Sequence, residues 1–375
     1  MMAAEPGSAI RSSCDRSMRP NLQARLRAPL CAVFLRCLFF LCLAGAVHAP
    51  AAHAAGASAL KPGQLAIVIN DEDPSSVAVG AYYRKRRAIP AENVVHVRIP
   101  RTGQSAPRTL SPAQFRLLKE EIDSQLGPGI QAVLMVWTAP YAVDCNSLTA
   151  AYTLGFDGSQ CAKTCAAGQP SAYFNSKSAQ PFSEHGMRIS MLLPTESVQD
   201  AKDLIDRGIA AGFRTVPATA YYLATSEKAR NSRVGFFPRP GRVPGRRLST
   251  KVMQADVLEG VKDVLIYQTG MAQVAKLETL GFVPGALADH LTSLGGDLLG
   301  NSQMSSLRWL EAGATASYGT VSEPCNHWQK FPNPAVLLRH YLSGNSAIEA
   351  YWKSVAWPAQ GLFIGEPLAA PYKGR

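Results

Sequence analysis

The residues best placed by type to do covalent chemistry are Cys325 and His290, 35 positions apart, the histidine lying in the run ADHLTS. An imidazole can take the proton of a thiol, and backbone N–H groups near Gly295 and Gly296 could then hold an oxyanion, which together describe a nucleophilic dyad. His327 is a rival base closer in sequence, while His185, followed by Gly186, reads as part of a turn. A competing reading makes Cys325 inert. Cys145, Cys161, Cys165 and Cys325 are the four cysteines beyond residue 54, and an even number in an exported chain points to disulfides. The simplest pairing closes Cys161 onto Cys165 locally and joins Cys145 to Cys325 at long range. Zinc is disfavoured because the C-x3-C pair has no second pair beside it, so no metal site is expected.

A second chemistry is carried by charge. Residues 228–251 hold eight basic side chains and no acidic one: Lys228, Arg230, Arg233, Arg239, Arg242, Arg246, Arg247 and Lys251. Pro238, Pro240 and Pro244 with three glycines make this a loop. Its six arginines suit planar oxyanions such as phosphate, carboxylate or sulfate. Outside the cytoplasm the matching partners are an anionic polysaccharide, a lipid surface or an acidic peptide rather than nucleic acid, and the alternative is a solvated loop with no partner. Asp71, Glu72 and Asp73 directly follow an apolar run and could touch a divalent cation, although such residues more often cap a helix. The sequence has no G-x-G-x-x-G after its first apolar run and no Walker loop, G-x-S-x-G or H-E-x-x-H, so no nucleotide or other cofactor is expected.

The first 54 residues do not read as fold. Arg11, Arg16, Arg19, Arg25 and Arg27 precede an apolar stretch, broken by Arg36, whose uninterrupted part (37–47) has the length of a signal-peptide core and is too short to span a bilayer. Ala52, His53 and Ala54 offer a small-x-small cleavage site, and the start could lie at Met18. The chain is therefore expected in the periplasm or secreted, touching a membrane only through this segment if it stays uncleaved. Of 375 residues, 47% are hydrophobic and 17% charged, which excludes disorder, and 30 Gly plus 26 Pro without a period exclude collagen and coiled coil. Without the leader the net charge falls from +11 to +7.

The run 65–69 and, apart from Gln131, 130–136 are apolar, and 94–99, 187–193, 221–224, 261–267, 314–321 and 362–364 also read as strands. Helices are expected between them. One runs from Ser75 or Ser76 to the basic cluster Arg84–Arg87, one from Ser111-Pro112 with a capping-box Gln114, one from Ser197 to Gly212, and one near 304–312. Two more open at Asn333-Pro334 and at Ser346 with Glu349. Strands apolar on both faces and separated by helices predict the α/β class with a mostly parallel sheet between helical layers. Residues 55–375 are expected to form one large domain, with a Cys-bearing insertion at 144–184 and the basic loop at 228–251.

The chain resembles a family of exported bacterial proteins associated with exosortase systems, which sort proteins bearing a C-terminal Pro-Glu-Pro anchor. The resemblance rests on AIPAENV at 88–94, GALADHLTSLGG at 285–296, LEAGATASYGTVSEPCN at 310–326 and EAYWKSVAWPAQGLFIGEP at 349–367. It implies an envelope role near protein sorting and exopolysaccharide production. From residue 261 onward the chain is also similar to the C-terminal half of gingipain-type, caspase-like cysteine peptidases, with Gly365-Glu366-Pro367 resembling their Gly-Asp-Pro turn. That likeness implies a caspase-like topology. It departs at the chemistry, since the clan follows its histidine with Gly and precedes its cysteine with Ala or Ser, whereas His290 precedes Leu291 and Cys325 follows Pro324.

Overall fold

The architecture is that of a computed structural model, which describes residues 59–100, 106–212 and 216–374; the leader expected at 1–54 lies outside them. The strands in chain order are β1 (Leu65–Asn70), β2 (Val94–Val97), β3 (Thr109–Leu110), β4 (Ala132–Val136), β5 (Ala142–Val143), β6 (Asn146–Ser147), β7 (Ile189–Leu192), β8 (Ala218–Ala224), β9 (Gly241–Arg242), β10 (Leu248–Gln254), β11 (Val264–Thr269), β12 (Phe282–His290), β13 (Ala316–Thr320) and β14 (Gly361–Gly365). Eleven of them form one sheet, in the order β2-β1-β4-β7-β14-β13-β12-β11-β8-β10-β9, while β3, β5 and β6 form a small separate one. β1 runs parallel to β2 and β4, and β4 to β7. In the other half, β8 is parallel to β10 and β11, β11 to β12, and β12 to β13. The antiparallel contacts are β13 with β14 and, at one end, β9 with β10. The α/β class with a mostly parallel sheet is as the apolar runs predict.

Every residue of β1, β4, β7, β11, β13 and β14 is buried. A strand can be apolar throughout only if both faces of its sheet are covered, and helices do that covering here. The helix Pro74–Arg87 is capped by the Asp73 carboxylate, which accepts from the Ser75 N–H at 3.0 Å, and it ends in four cations that suit the negative end of the helix dipole. It packs against the helix Val198–Ala210, where Asp206 accepts from Tyr82 Oη at 2.8 Å and from Arg86 Nε at 2.7 Å. Ser111 and Gln114 form the expected capping box at Pro112–Asp123, and Ser346 with Glu349 does the same at Ala347–Ser354.

Two strands depart from the sequence reading. β12 contains Pro284 and Gly285, whose φ is +86°, and so lacks the uninterrupted β-branched run that marks its neighbours. β10, with the sequence LSTKVMQ, is polar on one side because only β9 follows it at the sheet edge, and β9 covers just Ser249 and Thr250. The C-terminal part of the basic loop expected at 228–251 is thus part of the sheet.

Candidate functional site

The loops that follow β4, β12 and β13 meet one another, and both covalent candidates lie among them. Tyr141, beyond β4, donates its hydroxyl to Asp297 Oδ1 at 2.5 Å, and Ser322, beyond β13, donates to the Cys145 carbonyl at 2.7 Å. Disulfides complete the junction: Cys145 is bonded to Cys161, and Cys165 to Cys325. All four cysteines are oxidised as expected, but both pairings differ from the expected ones. The physical reason is the fold of the insertion. The short helix Ser159–Ala162 turns the Cys161 side chain back toward the β5–β6 hairpin, leaving Cys165 to reach forward to the loop after β13. Lys330 reinforces this contact by donating Nζ to the carbonyl of Thr164 and to Gln160 Oε1, and burial lowers its ammonium to about 8.

The dyad expected of Cys325 and His290 is not present, for two separate reasons. Cys325 has no thiol, being bonded to Cys165, and it sits at φ +59° in a turn where its N–H is held by Glu323 Oε1 at 2.7 Å. His290, the last residue of β12, is fully buried with both ring nitrogens occupied. Trp309 Nε1 donates to its Nδ1 at 2.9 Å, which leaves the proton on Nε2 to be donated to the Met304 carbonyl at 3.0 Å. Burial pushes its pKa down to about 3, so the ring is neutral and shielded from a reacting partner. One of the oxyanion donors expected near Gly295 and Gly296 is committed elsewhere: the Gly296 N–H donates to the Thr320 carbonyl at 2.8 Å, and the loop lies so close to the backbone of Gly319 that a Cβ on Gly296 or Gly319 would clash with the other strand of that contact. The rival base His327 stacks edge-on to Trp357, and His185 accompanies Ser176 Oγ at 3.3 Å.

Asp289, one residue before His290, carries a feature that the sequence reading missed. It is buried and paired with Arg233 at 2.5 Å, with Gln268 Nε2 donating to its other oxygen at 2.8 Å. Burial pushes its carboxyl up, and Arg233 and Gln268 oppose that. The signal was available: an aspartate inside the apolar run GALADHL requires a buried partner.

That pairing corrects one of the six arginines assigned to anion binding. Arg233 is 2% exposed and spends its guanidinium on Asp289, the Thr269 carbonyl and the Pro332 carbonyl, so it is an internal tie. Arg230 is half-buried, forms an ion pair with Glu227 and donates to Thr292 Oγ1 at 3.3 Å, so it too is largely satisfied internally. Arg246 donates to the Leu342 carbonyl at 3.3 Å and lies over the Tyr372 ring. Arg239, Arg242 and Arg247 are exposed, with no ion pair among the described residues. Of the six arginines, the exposed ones without an ion pair among the described residues therefore lie at the β9–β10 hairpin.

The acidic tripeptide is engaged locally. Asp71 contacts His96 Nδ1 at 2.7 Å, Glu72 pairs with Arg98 at 3.6 Å and Asp73 caps its helix. Among the described residues no group of three or more His, Cys, Asp or Glu side chains is placed to hold a metal ion, and no helix is long and apolar enough to cross a membrane.

No family model and no curated protein matches the chain. Among solved structures it is similar to the complex of the pro- and mature domains of Porphyromonas gingivalis RgpB, at 11% identity and a TM-score of 0.39, covering 82% of this chain and 79% of that one. It is also similar to the Arg-specific cysteine proteinase gingipain R, at 10% identity and a TM-score of 0.41, covering 84% and 79% respectively. Likeness of this depth assigns no residue a role.

Proposed function

We propose that this chain is an exported envelope protein, associated with exosortase-dependent sorting or exopolysaccharide production, that engages an anionic or peptide partner through the β9–β10 hairpin and performs no cysteine peptidase chemistry. The observation that carries the reading is the set Arg239, Arg242 and Arg247, exposed on one short hairpin without a carboxylate partner among the described residues. Arginines left in water without partners are solvated at no benefit to the fold, and clustered on one loop they raise the local concentration of anions. The two disulfides are consistent with an oxidising compartment, and the motifs at 285–296 and 349–367 support the envelope assignment.

The test is binding of the purified protein to a soluble acidic polysaccharide, alginate, over a salt series. Binding is expected to weaken as salt rises and to fall about tenfold or more when Arg239, Arg242 and Arg247 are replaced together by Gln, since each lost cation near a polyanion removes part of the electrostatic attraction. Unchanged binding by the triple variant would remove the hairpin from the account. The peptidase alternative is tested alongside: reduction of the protein is expected to release no peptide hydrolysis, because His290 remains buried and neutral whatever the state of Cys325.

A further inference from the structure

Beside the basic hairpin lies a groove of about 610 Å³ between the hairpin and the helix Pro334–Leu342. Its walls are apolar, built from Pro238, Val243 and Pro244 on the hairpin side and Leu338 and Leu342 on the helix side. Arg246 and Arg339 stand in the lining, and no carboxylate of the described residues does. Arg246 caps the Leu342 carbonyl, which offsets the negative end of that helix where it would otherwise repel an anion. Arg339 is exposed and hydrogen-bonded to Asn175, with no ion pair among the described residues. Arg239, Arg242 and Arg247 adjoin the lining residues along the chain.

We infer that this groove takes an acyl chain of an anionic phospholipid, with the headgroup phosphate held by Arg339 and the hairpin arginines, so that this face of the molecule rests on an anionic bilayer. The inference builds on the proposed anion-binding role of the hairpin and commits it to one partner. The apolar walls make the choice. A polysaccharide chain would engage only the arginines and leave the partly exposed Val243 and Leu342 against water, whereas a phospholipid matches both halves of the surface. Guanidinium groups are suited to the phosphate, and juxtamembrane cations on a protein surface are attracted to anionic headgroups.

The experiment is sedimentation of the full chain with vesicles of phosphatidylcholine containing phosphatidylglycerol, against vesicles of phosphatidylcholine alone. Because every variant carries the same apolar leader, differences between variants report the groove. The wild type is expected to bind the anionic vesicles more strongly, the Arg239→Gln/Arg242→Gln/Arg247→Gln variant to bind them about tenfold more weakly or worse, and Val243→Ser/Leu342→Ser to bind severalfold more weakly. A Val243→Trp variant should be quenched by brominated acyl chains. Equal binding to both vesicle types, or an unquenched Trp at 243, would overturn the inference. If alginate displaces the vesicles completely while the Val243→Ser/Leu342→Ser variant binds like wild type, the hairpin recognises charge alone, and the lipid assignment fails while the proposed function stands. Wild type that binds neither vesicles nor alginate removes both. A concentration-dependent dimer that Val243→Ser/Leu342→Ser abolishes, without vesicle binding, would make a second copy of the chain the occupant and overturn the inference as well.

Discussion

His290 shows how one residue's surroundings decide what it can do. With Trp309 donating to one ring nitrogen and the Met304 carbonyl receiving from the other, protonation would have to break the Trp309 bond inside a fully buried site. The folded-state pKa of about 3 lies below the ordinary value near 6.5, so the neutral ring favours the fold and its contribution is complete above pH 6.5. It is lost as the pH falls from there toward 3, because the unfolded chain takes up the proton first. Stability should drop by about 1.4 kcal/mol per pH unit from this residue over that window. His340, lowered to about 4 by burial, acts in the same sense, so the residue-specific measure is a comparison with His290→Gln. In denaturant titrations at pH 7 and pH 5, the loss of stability on acidification should be smaller in the variant by about 2 kcal/mol; equal losses would show that the ring titrates freely. Cys325 yields a simpler expectation: peptide mapping without reduction should recover Cys165 joined to Cys325 and Cys145 joined to Cys161, with none of the four alkylated beforehand. Oxidation of the four was legible from their even number and the expectation of export. The pairing was not, because it depends on which way a short helix in the insertion turns.

At the scale of elements, the parallel strands were legible where burial on both faces forces continuous apolar runs, as in β1 and β4. They were illegible where another demand overrode that pattern. β12 keeps Gly285 because a side chain there would press on Ala211 and on the Tyr341 hydroxyl, which donates to the Gly285 carbonyl at 2.5 Å. It also keeps Asp289 for Arg233, so the strand reads as a loop. A comparable tie joins the first helix to the end of the chain: Arg87 donates through Nε at 3.0 Å and Nη2 at 2.5 Å to the buried Glu366, which also accepts from Tyr83 at 2.8 Å. The motif around Gly365-Glu366-Pro367 is therefore a structural clamp. Glu366→Ala should destabilise the protein by about 3 kcal/mol, because it strands the mostly buried Arg87 guanidinium and the buried Tyr83 hydroxyl, whereas Arg86→Ala, which breaks an exposed pair with Asp206, should leave the unfolding midpoint in place. Similar losses from both would contradict the burial argument. Gly208→Val should match Glu366→Ala, since a side chain at 208 would enter the Glu366 carboxylate.

For the molecule as a whole, the α/β class and the mostly parallel sheet followed from the alternation of apolar runs and capped helices, while the working surface did not. Charge counting treated residues 228–251 as one basic loop, yet the fold withdraws Arg233 into the core and half-buries Arg230, and only contacts distant in sequence reveal that division. Both disulfides fasten the insertion, Cys145–Cys161 to the hairpin beside it and Cys165–Cys325 to the far half of the sheet. Their reduction should lower stability by about 2–5 kcal/mol per bond. The larger loss should appear in Cys165→Ala/Cys325→Ala, whose bond closes the longer loop, and a loss smaller by about 2 kcal/mol in Cys145→Ala/Cys161→Ala; a reversed ranking in thermal melts would contradict the loop-closure account.

The longer of these bonds imposes an order of events on biogenesis. During vectorial synthesis Cys165 emerges 160 residues ahead of its mate, with Cys161 only four positions away as a tempting wrong mate. Oxidation that outpaces translocation would capture the adjacent thiols, leaving Cys145 and Cys325 to be rescued by exchange. If the chain is exported as we propose, its host must therefore either delay oxidant encounter or supply an isomerase, and export into a bacterial periplasm without isomerase activity should accumulate a form cross-linked between 161 and 165.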